Sequence, residues 1–77
     1  MNKERFSTLI SILRQRLDLS QERLAAQLGV SFQTINRWEN QRVSPSPNAV
    51  RLIKQRLIQM GAEGEDLLAK YFWDETR

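Results

Sequence analysis

Gln33, Asn36, Arg37 and Asn40 are spaced so that any helix containing them carries all four on one side. At 100° per residue they sit roughly 130–170° from the direction midway between the apolar Ile35 and Trp38. Gln33, Asn36 and Arg37 then present two amides and a guanidinium in successive turns. Those groups suit the edges of nucleobases: Gln and Asn pair with N6 and N7 of adenine, and Arg with O6 and N7 of guanine. Phe32 lies on the flank of the same helix, where it either meets a thymine methyl or tucks under the first helix as core. Thr34, roughly 70° from the buried direction, suits a backbone phosphate or a cap better than a base.

Other chemistry is excluded by what the chain lacks. It has no Cys and no His. A disulfide framework, a thiolate or imidazole metal site, and a nucleophile paired with His are therefore all ruled out. A carboxylate-only enzyme would need a pocket that 77 residues rarely enclose. The expectation is a non-enzyme with no cofactor and no metal. No apolar run approaches the roughly 18 residues of a membrane span. The charged start, Met1 to Arg5, leads into no signal-peptide core. A cytoplasmic, nucleoid-associated protein is expected.

The elements that would position the polar face are helices. Phe6, Leu9, Ile10, Leu13 and Leu17 form one stripe in the first. Ser20 suits the N-cap of a second helix that buries Leu24, Ala25 and Leu28, and Gly29 suits its left-handed end. Val30 alone separates that glycine from the next cap, Ser31, which opens the helix bearing Ile35 and Trp38. Ser44-Pro45-Ser46-Pro47 breaks the pattern, and Ser46 with Pro47 at the first helical position starts a fourth helix. Val50, Ile53 and Leu57 are its buried stripe, and Gly61 stops it. A fifth helix from about Gly64 to Trp73 buries Leu67, Leu68, Tyr71 and Phe72. With no strand signal, the expectation is an all-α, compact five-helix bundle forming one domain over residues 1–77.

Charge is unevenly spread. Residues 1–42 hold seven Lys/Arg against four Asp/Glu, and residues 43–60 add Arg51, Lys54 and Arg56 with no acid. The segment from Gly61 onward reverses the sign through Glu63, Glu65, Asp66, Asp74 and Glu75. A basic body favours a polyanion through counterion release, and the acidic tail belongs away from it.

Residues 20–40 have the make-up of a helix-turn-helix unit. A steep crossing of two helices over a short turn needs a small residue at the crossing, and Ala25 is there. The turn needs a residue at ease with positive φ, and Gly29 is there. Leu24, Leu28, Val30, Ile35 and Trp38 fill the inner positions.

From about Ile10 to Leu57 the chain resembles the Xre/Cro-like helix-turn-helix domains of phage and bacterial repressors. The resemblance rests on Leu13-Arg14, Leu19 to Ala25, Leu28 to Ser31, Ile35, Trp38-Glu39-Asn40 and Pro47. It implies a five-helix domain that binds double-stranded operator DNA, usually as a homodimer, with the third helix in the major groove. Phe32, Gln33, Asn36 and Arg37 are then the base-contacting set. Gln21, Thr34, Asn40, Arg42 and Ser44 are the phosphate-contacting set. Gln21 is placed there also because it opens a helix, where free N–H groups and the dipole favour an anion. The resemblance further implies a partly buried ion pair between Arg14 and Glu39. One departure stands out: Gln41 follows Trp38-Glu39-Asn40 where the family most often has Gly. Either Asn40 takes the left-handed conformation in its place, or the exit from the helix is shaped differently.

Tyr71-Phe72-Trp73 fan over about 200° of one helix, too wide for one small core. They form a dimer interface with Trp73 near the seam, or all three cap the monomer's core. The function expected is a sequence-specific DNA-binding transcriptional regulator, most simply a repressor. The alternatives are the DNA-binding antitoxin of a toxin–antitoxin pair, its acidic aromatic tail holding a basic toxin, and a protein-interaction module on the same fold.

Overall fold

The computed structural model describes residues 1–73, so Asp74 and Glu75 of the expected acidic tail lie outside the described residues. Five helices and no strand are present among those described, giving an all-α fold. The helices group into two compact units, one spanning Met1–Pro45 and the other beginning at Ser46.

In the first unit, α1 runs Lys3–Leu17, α2 Gln21–Leu28 and α3 Phe32–Glu39. Each starts at a side chain that satisfies an otherwise orphaned N–H. Asn2 accepts from the Arg5 N–H, Ser20 from Arg23 and Ser31 from Thr34. Phe6, Leu9, Ile10 and Leu13 are fully buried along α1, while Leu17 is half-buried. Leu24 and Ala25 are the buried residues of α2, with Leu28 half-buried. Ile35 and Trp38 are buried on α3, and α1 and α2 both pack against that helix. Phe6 and Trp38 meet edge to face at 5.1 Å between ring centroids and 81° between planes, a geometry that suits aromatic quadrupoles.

The turn between α2 and α3 closes as its residues dictate. Gly29 takes φ 73°, where a side chain would be strained, and the Val30 N–H donates to the Ala25 carbonyl at 3.0 Å. The same closure ends α1 without a glycine. Asp18 takes φ 53°, and the Leu19 N–H donates to the Arg14 carbonyl at 3.0 Å.

In the second unit, α4 runs Pro47–Gln59 and α5 runs Ala62–Tyr71. Ser46 accepts from the Ala49 N–H at 3.1 Å, and Pro47 occupies the first turn, where its missing N–H has no intrahelical partner to lose. Ala49, Ile53 and Leu57 line its buried side, with Val50 only half-buried. Helix α5 begins two residues earlier than the expected Gly64 and ends at Tyr71 rather than Trp73. The reason lies at Gly64 itself. It is buried inside the helix, and a Cβ there would overlap the Leu57 carbonyl, so this glycine permits close approach of α4 and α5 rather than starting a helix. Leu67 and Phe72 are each 2% exposed, whereas the expected burial of Leu68 and Tyr71 is only partial. The Lys54 ammonium lies over the Phe72 ring at 6.0 Å and that of Lys70 over the Tyr71 ring at 5.5 Å.

Candidate nucleic-acid interface

Burial of Ile35 and Trp38 fixes the rotation of α3, and that rotation decides which side chains meet solvent. Phe32, Gln33 and Arg37 are exposed and Asn36 is half-buried. Phe32 is 45% exposed, which removes the core alternative left open by the sequence. Among the described residues, the polar ends of Gln33 and Arg37 have no hydrogen-bond partner within the chain. Thr34 stays at the head of the helix, its hydroxyl 2.9 Å from that of the cap Ser31.

Next to this face lies an open concavity of about 500 Å³ lined by Asn36, Arg37, Arg42 and Val43. Its shape comes from the exit of α3. Gln41 itself adopts the left-handed conformation, φ 57°, while Asn40 stays at φ −94°. Neither arrangement expected from the missing glycine is therefore the one found. The Arg42 N–H closes the turn onto the Arg37 carbonyl at 3.0 Å, which overrides a strain of about 1 kcal/mol at Gln41. Arg42, Val43 and Ser44 all emerge exposed. Val43, 43% exposed, has a place in the site that sequence reasoning missed, since an isolated Val beside a loop carries no signal.

Behind the face, Glu39 organises a set of polar groups. Its carboxylate accepts from Arg14 Nε at 2.8 Å and Nη2 at 3.1 Å, a bidentate pair between α1 and α3. It also accepts from Ser11 Oγ at 3.1 Å and Gln21 Nε2 at 3.0 Å. Burial alone would push this carboxyl up; hydrogen bonds from Arg14, Gln21 and Ser11, with the Arg14 charge, more than reverse that and hold it below the usual 4.5. Arg14 Nη1 reaches the Leu19 carbonyl at 3.1 Å, and the Ser7 hydroxyl donates to the Glu39 carbonyl at 2.6 Å. Ser11 escaped the sequence reading, although it precedes Arg14 by three residues and so shares its side of α1.

The hydrogen bonds continue outward. Asn36 Nδ2 donates to Gln21 Oε1 at 3.3 Å. Asn40 Nδ2 donates to Asn36 Oδ1 at 3.1 Å and to the Asn36 carbonyl at 2.8 Å. Gln21, Asn36 and Asn40 thus form a strip of amides leading away from Glu39.

The expected partner residues of the C-terminal helix separate. Phe72 is 2% exposed within its own chain and so presents no surface, which corrects its inclusion in an interface. Tyr71 is half-buried, and Trp73 is 58% exposed.

Compared with known families, residues 10–57 match the model of the helix-turn-helix family, which covers all of α2 and α3 with the second half of α1 and most of α4. No curated protein and no solved structure gives a significant match. No helix among the described residues is long and apolar enough to cross a membrane, and no group of acidic residues there is placed to hold a metal ion.

Proposed function

The chain belongs to the Xre/Cro-like helix-turn-helix family of DNA-binding regulators, and from that premise we propose that it is a sequence-specific transcriptional repressor acting as a homodimer. Helix α3 enters the major groove by its exposed side. Gln33 and Arg37 read base edges by bidentate hydrogen bonds, and Phe32 packs on a thymine methyl. Gln21, Thr34, Arg42 and Ser44 hold the phosphate backbone, fixing register without carrying sequence information. Two copies place their recognition helices ~34 Å apart, one duplex turn, over a near-palindromic site. Occupying promoter DNA is then enough to repress.

The observation that carries this reading is the contrast within one short helix. Ile35 and Trp38 are buried and anchor it, while the polar ends of Gln33 and Arg37 are exposed and without partners among the described residues. A face that served only solvation would not need a partly buried ion pair and a network of amides to hold it. For the dimer, the exposed Trp73 supplies the apolar surface, as Tyr and Trp are enriched at interfaces.

Selection of bound duplexes from a random pool, followed by titration of the winner at two salt concentrations, tests the proposal. A two-fold symmetric consensus, with affinity that falls steeply as salt rises and survives nonspecific competitor, is expected. Recovery of no consensus would refute it.

A further inference from the structure

Asn36 has the residue type of a base reader and sits on the reading helix, yet its amide is engaged at both ends. Bidentate pairing with adenine uses an amide nitrogen as donor and the amide oxygen as acceptor. In Asn36 those two atoms already serve Gln21 at 3.3 Å and Asn40 at 3.1 Å, which ties the orientation of the amide to its own chain and leaves it one N–H and one lone pair.

The direction of these bonds follows from one end of the strip. A carboxylate only accepts, so Gln21 must turn its Nε2 to Glu39 and its Oε1 outward. That oxygen in turn requires the Nδ2 of Asn36, which leaves Asn36 Oδ1 facing the Nδ2 of Asn40. The orientation of all three amides is therefore dictated by Glu39. Asn40 Nδ2 serves both the carbonyl and the Oδ1 of Asn36, while Gln21 and Asn36 each keep one N–H beyond these bonds.

Resting on the DNA-binding reading above, we propose that Asn36 is a positioning residue: backed by Asn40, it holds the Gln21 amide with its remaining N–H ready for a DNA phosphate, and it reads no base. Specificity on the polar side of α3 then belongs to Gln33 and Arg37. Asn36 ties the start of α2 to α3 so that phosphate contacts and base contacts keep a fixed spacing.

The test compares wild type, Asn36→Ala, Gln21→Ala and the double variant on the selected duplex and on a scrambled one. Base-preference profiles and thermal unfolding of each protein are measured beside them. Asn36→Ala should weaken both duplexes by the same factor, about fivefold, with an unchanged preference profile. In the Gln21→Ala background it should have no further effect, a coupling that general loosening of the fold would not produce. Asn40→Ala, at an exposed position, is the second variant and should also weaken both duplexes in parallel. Relaxed preference at one base pair, or an undiminished effect without Gln21, would overturn the assignment. Absence of binding by the wild type is a separate result, which would remove the DNA-binding reading and the inference with it.

Discussion

Replacing Glu39 with Gln removes the charge on which Arg14, Ser11 and Gln21 converge, and the structure sets the size of the effect. Breaking a fully buried ion pair by removing one partner costs about 3–5 kcal/mol, and exposed pairs are worth about 0–1 kcal/mol. Side-chain exposures of 10% for Glu39 and 29% for Arg14 lie between these limits. Water reaches part of the stranded guanidinium, so the expected loss is ~2 kcal/mol. A chain of 77 residues holds on the order of 3–5 kcal/mol in total, and about half of that would go. Arg14→Met should cost a similar amount. If the two residues act on each other, the double variant loses about 1–2 kcal/mol less than the two singles added.

Urea unfolding followed by circular dichroism at pH 7 gives all four corners of the cycle, and pH adds a second check. Because the Glu39 carboxyl is held below 4.5, the folded chain binds its proton more weakly than the unfolded chain. Its contribution is complete above 4.5 and is lost as pH falls through the lowered folded value. The stability gap between wild type and Glu39→Gln should therefore be level from neutrality down to that region and close below it. Additivity of the two substitutions to within about 0.4 kcal/mol, or a gap that widens in acid, would refute the reasoning.

Further outcomes follow from other sites. Gln33→Ala or Arg37→Ala should cost about 1–3 kcal/mol on the preferred duplex and relax one base position, read by competition binding. Arg42→Ala should weaken every sequence alike and reduce the salt slope by about one. Gln41→Gly should relieve the left-handed strain of about 1 kcal/mol. After about 0.5–1 kcal/mol for the added unfolded-state freedom, the urea midpoint should rise by the equivalent of no more than about 0.5 kcal/mol. Gly64→Ala should destabilise by about 1–3 kcal/mol, because the new methyl overlaps the Leu57 carbonyl. Sedimentation should show weaker self-association for Trp73→Ala than for wild type.

Local chemistry made most of the fold legible. Ser20, Ser31 and Ser46 set helix starts through their capping side chains, Gly29 and Pro47 act through their backbone preferences, and the boundaries fall where those residues stand. Gly64 misled for a physical reason. Glycine is equally at home at the start of a helix and where a neighbouring backbone comes close, and only the Leu57 carbonyl shows which is in force. Gln41 stands out as a departure but its conformation could not be read, since its strain is tolerated through the closure of Arg42 onto Arg37. At the candidate site, the direction of α3 follows from the spacing of Ile35 and Trp38. The engagement of Asn36 does not, because its partner Gln21 lies on another helix, fifteen residues earlier in the chain.

The two tryptophans divide between the two compact units, and this gives the protein a built-in spectroscopic pair. Trp38 is 6% exposed and meets the Phe6 ring in the first unit, whereas Trp73 is 58% exposed in the second. Blue emission reports the half that carries the recognition helix, and the redder signal, open to iodide quenching, reports the other. With Trp73 replaced by Phe, denaturation watched by the remaining indole and by circular dichroism yields superimposable curves if both halves melt as one, and staggered curves if they melt apart.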